Sequence, residues 1–144
     1  MKLSDEQVND IAQSLDCGFN CYIHRETHEV ITIPSESRIY AEMDEWKDDI
    51  RKVEKVPGQY LLIEPLMSNQ SFRMMAAFAE NVDDDKVRRA LVGALNDRKP
   101  FANFKFQIDN SGPYRQKWFD FKNQWLMDYV REELEIVDND GEED

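Results

Sequence analysis

Cysteine is scarce in this chain. Its 144 residues hold two, Cys17 and Cys21, too few for a disulfide framework and suited to a compartment that keeps thiols reduced. Glycine numbers only five, never clustered, so no glycine loop is available to cradle a phosphate. Two histidines, His24 and His28, are the whole supply, neither with suggestive flanks, and no serine lies in a Gly-x-Ser-x-Gly elbow; nucleophilic catalysis has no support. No eighteen-residue apolar run occurs, which excludes a membrane-spanning helix. The opening Met1-Lys-Leu-Ser-Asp-Glu-Gln7 lacks the apolar core of a signal peptide, so a cytoplasmic location is expected. Basic charge is also in deficit. Eighteen Lys and Arg face 30 Asp and Glu, a net charge of −12, which favours solubility and repels nucleic acid at long range.

What is present suits one soluble globular domain, with 41% hydrophobic and 33% charged residues in a chain long enough to bury a core. Ser4 and Gln7 have the spacing of a capping box. Val8, Ile11, Ala12 and Leu15 form one apolar face before Gly18, which predicts a helix over 5–15. Phe19–His24 and Glu29–Ile33 flank Arg25-Glu-Thr-His28 as a β-hairpin, with Phe19, Cys21 and Ile23 on one side. Ile39, Met43, Trp46, Ile50 and Val53 recur at helical steps under a charged opposite face. Pro57-Gly58 breaks that pattern, and Tyr60–Ile63 reads as a third strand.

From Ser68 onward the pattern is helical. Phe72, Met75, Ala79 and Val82 mark one helix. Val87, Leu91, Ala94 and Leu95 mark another, and Phe101, Phe104 and Ile108 a short third, with Pro100 at its first position. A final helix opens at Gly112-Pro113 and runs to about Val137, about 35 Å. It carries two stripes. Tyr114, Trp118, Phe121, Trp125 and Tyr129 share one face; Phe119, Leu126, Val130 and Leu134 form the other. The second stripe suits either central burial or a homodimer contact through this helix. The fold class is therefore α+β: a small antiparallel sheet of about three strands in the N-terminal half, packed against helices, then a helical C-terminal half. Residues 1–137 form the expected single domain, and 138–144, with five carboxylates and no large apolar side chain, a disordered acidic tail.

Charge is unevenly spread. Residues 86–122 carry nine basic and three acidic side chains, a net +6, leaving −18 for the rest. Within that segment, Ala90–Leu95, Pro100-Phe-Ala-Asn-Phe-Lys105 and Tyr114-Arg-Gln-Lys-Trp-Phe-Asp-Phe121 resemble uncharacterised protein family 0158, a set of bacterial proteins. That pattern is a helix ending in a Gly-Arg-Gly-Ala-Phe-type turn, an aromatic-plus-Lys pair, then a Trp-Tyr/Phe-x-Phe helix. Ser68–Phe72 through Phe78 and Val82 resemble the preceding helix. The resemblance covers about residues 60–135. It departs at Asp97-Arg98-Lys99-Pro100, where only Arg98 keeps the expected type. It implies a bacterial protein of mixed α and β structure and supplies no catalytic, cofactor or ligand residue.

Candidate sites are few. Cys17, Cys21, His24 and His28 lack the paired spacing of a zinc site, and strand alternation sends Cys21 and His24 to opposite faces. Asp83-Asp84-Asp85 offers oxygen ligands for Mg²⁺ but also opens a helix, where an Asp caps free N–H groups. Asp44, Glu45, Asp48 and Asp49 lie opposite an apolar stripe and read as a solvated face. No metal or cofactor is called for. The richest constellation is Arg98, Lys99, Lys105, Arg115, Lys117 and Lys122 around Phe101, Phe104 and Trp118, since cations beside aromatic faces hold phosphates and stack bases.

With no acid, base, nucleophile or ligand set standing out, the leading reading is a non-catalytic interaction or regulatory domain with a protein partner. One rival is an anion or nucleic-acid binding module at 98–122, which the net charge opposes. Another is an acidic decoy that occupies nucleic-acid-binding proteins through carboxylates such as Asp44, Asp48 and Asp49.

Overall fold

A computed structural model describes residues 1–35 and 44–142, with side chains described for 1–35 and 45–137. The elements are α1 (Asp5–Asp16), β1 (Phe19–His24), β2 (Val30–Pro34), α2 (Asp44–Lys55), β3 (Tyr60–Ile63), α3 (Ser68–Glu80), α4 (Asp85–Leu95), α5 (Pro100–Asp109) and α6 (Tyr114–Glu142). The class is α+β, with a three-stranded antiparallel sheet and a long C-terminal helix. The chain divides into two compact units, Met1–Pro65 with Leu126–Asp144, and Leu66–Trp125.

The first unit is built on the sheet, ordered β2-β1-β3. Ser4 starts α1 with the expected box: the Gln7 amide donates to Ser4 Oγ at 3.1 Å, and the Ser4 amide to Gln7 Oε1 at 2.9 Å. Gly18, at φ 88°, then takes the left-handed position that ends the helix. The β1–β2 turn is tied by His24, whose Nδ1 accepts from the amides of Glu26 and Thr27, both at 3.1 Å. Cys21, Ile23, Leu61 and Ile63 face a core completed by Val8, Ile11 and Leu15 of α1 and by Val130 and Leu134 of α6.

The sheet buries residues on both faces. Tyr22 pairs with Ile31 and Asn20 with Ile33, so these two isoleucines lie on the side opposite Cys21 and Ile23. Both are nonetheless buried, and α2 packs against β2. Of the stripe that predicts α2, Trp46, Ile50 and Val53 are half-buried; Ile39 and Met43 fall outside the described side chains.

The second unit is helical. Met74, Phe78, Ala79, Val82, Leu91, Leu95, Phe104, Ile108 and Trp118 form its core. Asp84 caps α4 by accepting from the Val87 amide at 2.9 Å. Pro100 sits in the first turn of α5, preceded by Lys99 in the left-handed conformation at φ 53°, ψ 57°.

Along its length α6 serves these two cores in turn, and both stripes contribute to each: Phe119 packs against the second unit's core and Tyr129 against the first's. Trp118 is buried in the second unit, with Tyr114, Phe121 and Trp125 packed around that core. Val130 and Leu134 are buried in the first. The helix continues past Val137, where the sequence suggests an end, to Glu142.

Candidate functional site

Of the nine residues singled out by sequence, Lys117 lines a separate cleft, and the other eight fall into three groups. Phe104 and Trp118 are core residues, 1% and 4% exposed, with ring centroids 4.9 Å apart in an edge-to-face contact. Phe78 adds a second edge-to-face contact to Trp118 at 5.4 Å. Enclosed rings packed this way stabilise the fold and present no face on which a base can stack.

Arg115 and Lys122 lie over rings of their own helix. The Arg115 guanidinium is 4.7 Å from the Phe119 centroid, and Lys122 Nζ is 5.1 Å from the same ring and 5.7 Å from Trp118. Arg115 also pairs with Asp109 at 3.2 Å. The i, i±3 and i, i+4 spacing of α6 brings these cations and rings together.

The third group is open to solvent. Arg98, Lys99 and Lys105 are exposed, and Phe101 is 38% exposed. Phe101 thus stands apart from the core face expected for it, because Phe104 and Ile108, one turn apart, fill that face alone. Sequence reasoning missed Phe106, which is 65% exposed. The signal was available: Phe106 is two residues from both Phe104 and Ile108, about 200° around the helix from each. Phe101, Ala102, Lys105 and Phe106 are all exposed and make one strip along α5 at i and i+4 spacing. The turn feeding this strip is pinned from within. The Arg98 amide donates to Asp97 Oδ1, and Asn103 Nδ2 to the Arg98 carbonyl, both at 2.7 Å.

A cleft of about 320 Å³ lies elsewhere in the second unit, lined by Phe78, Val82, Asp83, Tyr114, Lys117 and Phe121 among others. The Tyr114 hydroxyl donates to Asp83 Oδ1 at 2.5 Å. Lys117 Nζ sits 4.8 Å from the Tyr114 ring centroid. The Tyr114 hydrogen bond, then the nearby Lys117 charge, hold the Asp83 carboxyl below its ordinary pKa. The same bond pushes the Tyr114 phenol up to about 12. Both groups are thereby moved away from neutrality, where a proton-transfer catalyst works best.

The three aspartates at 83–85 have separate tasks: Asp83 accepts from Tyr114, Asp84 caps α4, and Asp85 pairs with Arg88. Cys21 is fully buried, its thiol donating towards the Ile11 carbonyl at 3.9 Å. His24 is occupied by the turn amides. Among the described residues, no cluster of three or more His, Cys, Asp or Glu is placed to hold a metal ion, and no helix is long and apolar enough to cross a membrane.

The profile of the Uncharacterised protein family (UPF0158) matches residues 2–140. The chain belongs to this family. Its membership extends the resemblance seen at 60–135 through the sheet and α1. A curated relative, the UPF0158 protein PA5073 of Pseudomonas aeruginosa, is 30% identical over 134 residues, 92% of this chain and 82% of the relative. No solved structure matches the chain. The family has no assigned activity, so function has to be argued from the site itself.

Proposed function

We propose that this protein is a non-catalytic interaction domain, and that the exposed strip of α5 with its preceding turn captures an acidic, apolar-studded segment of a protein partner. The observation that carries the reading is the placement of Phe101 and Phe106 in solvent beside Arg98, Lys99 and Lys105. None of these three cations forms an ion pair among the described residues. Exposed aromatics flanked by unpaired cations suit a segment carrying carboxylates and apolar side chains.

Charge supports the choice of partner. The second unit, Leu66–Trp125, carries ten basic and seven acidic side chains, a net +3; the remainder carries eight and 23, a net −15. A short acidic segment meets the local positive field, whereas a long nucleic acid also meets the −12 of the whole chain. We place the protein in the cytoplasm, in keeping with Cys17 and Cys21 as free thiols.

Fluorescence polarisation with a short labelled peptide of Glu, Asp and Leu tests this. Binding should weaken roughly tenfold or more in Phe106→Ala and in Lys105→Glu. Failure of the wild type to bind any such peptide sinks the reading. Tight binding of a short oligothymidylate, falling steeply with salt, would favour the nucleic-acid module instead.

A further inference from the structure

A different surface of the second unit carries an inference that does not depend on the α5 strip. A groove of about 470 Å³ runs beside α4, lined by Glu80, Arg88, Arg89, Val92 and Gly93. A smaller hollow of about 110 Å³ adjoins it, sharing Glu80 and Val92 and including Ala76 and Ala79 of α3. Phe72, Leu95 and Asn96 complete the lining of the hollow, and Gly93 is the one position in the groove without a side chain.

Gly93 stands out in this groove. It lies within α4, away from the positive-φ region, and a Cβ added there would meet nothing within 4 Å. Glycine is a poor helix residue, surpassed in that only by proline. Among the described residues nothing requires it, because its missing side chain makes room for no neighbour within 4 Å. The space it leaves opens only outward, into the groove.

The charges in the groove are balanced and incomplete. Arg88 is occupied, donating to the Val82 carbonyl at 3.1 Å and pairing with Asp85. That leaves one carboxylate, Glu80, and one guanidinium, Arg89. Both are exposed and neither forms an ion pair among the described residues. They line one groove without meeting each other.

We propose that a second copy of this chain occupies the groove, related by a two-fold axis passing close to Gly93. A two-fold contact is self-complementary: residue i meets residue j of the partner, and j meets i. One free charge of each sign is what such a contact needs, since each Glu80 then meets the other copy's Arg89, twice over. The overall field points to the same place. A two-fold contact faces like with like, and two second units at +3 each repel far less than two remainders at −15 each.

Sedimentation equilibrium of the full chain tests this. The wild type should be a dimer that dissociates on dilution. Glu80→Arg and Arg89→Glu should each shift it to monomer by at least roughly tenfold in dissociation constant, while the double exchange restores the dimer. Gly93→Leu should also give monomer, with circular dichroism unchanged as the check on folding. A wild type that stays monomeric at high concentration overturns the proposal. So does a dimer that survives both single reversals, or a double exchange that fails to recover it.

Discussion

Tyr114 and Asp83, thirty-one positions apart, are joined by a 2.5 Å hydrogen bond from phenol to carboxylate. It ties the first residue of α6 to the loop ahead of α4. Both pKa shifts follow from it, and they act at opposite ends of the pH scale. The Asp83 carboxyl is held below its ordinary value, so its stabilisation is present above the unfolded carboxyl pKa and is lost as pH falls through the folded one. The Tyr114 phenol is raised to about 12, so its share is present below the unfolded phenol pKa, about 10, and disappears as pH rises towards 12. The bond therefore persists across the neutral range. Titration followed at 295 nm should show a phenol ionising near 12 that Tyr114→Phe removes. An unchanged alkaline limb in that variant would contradict the contact.

Phe104 and Phe106 lie two positions apart on α5 and should behave in opposite ways. Phe104 is 1% exposed and packs against Trp118; Phe106 is 65% exposed. Phe104→Ala should cost about 3–5 kcal/mol by leaving a cavity in the second unit's core. Phe106→Ala should change stability by about 0.5 kcal/mol or less. Urea denaturation of the two variants side by side checks both values. Equal losses would mean that the rotation assigned to α5 is wrong.

This contrast marks the boundary of what was legible in the sequence. Periodicity sufficed wherever a helix had one apolar face, as in Val8, Ile11, Ala12 and Leu15 of α1, and wherever caps were local, as in Ser4 with Gln7. It failed where one element serves two masters. The two stripes of α6 do not divide between the cores: Phe119 joins Trp118 in the second unit, and Tyr129 joins Val130 and Leu134 in the first. Alternation along β1 placed Cys21 and Ile23 on one face, but the burial of Leu61 and Ile63 beside them, and of Ile31 and Ile33 on the opposite face, is revealed only by the strand register. The basic–aromatic segment was correctly seen as unusual in composition. Its rings separated because proximity in sequence does not fix which side of a helix a residue occupies.

Lys99 offers a test of backbone strain. A residue before proline favours extended conformations, yet Lys99 adopts φ 53°, ψ 57° ahead of Pro100. The Gly-Arg-Gly-Ala-Phe-type turn that this segment resembles has glycine just after its arginine, the position Lys99 takes after Arg98. Left-handed backbone costs a non-glycine residue about 1–2 kcal/mol, and the added freedom of glycine in the unfolded chain returns part of that. Lys99→Gly should therefore stabilise the protein by about 0.5–1 kcal/mol, whereas Lys99→Ala should not. The denaturation midpoint gives the answer, and a loss of stability in the glycine variant would remove the strain argument.

The two cysteines should differ sharply in reactivity for a reason rooted in burial. Cys17 is exposed at the end of α1, and Cys21 is enclosed between α1 and the sheet. Burial penalises the thiolate and pushes the Cys21 pKa up to about 12. Since the thiolate is the reactive form, a disulfide reagent at neutral pH should modify one thiol per native chain, and two once the chain is unfolded. The shift also carries a stability consequence. The folded state holds this proton more tightly than the unfolded state, so stability falls as pH rises from the unfolded thiol value, about 8.5, towards 12. Cys21→Ser should leave the native thiol count at one, and Cys17→Ser should reduce it to none. A native Cys17→Ser protein that still reacts at the rate of a free thiol would show that the sheet core opens far more readily than its packing implies.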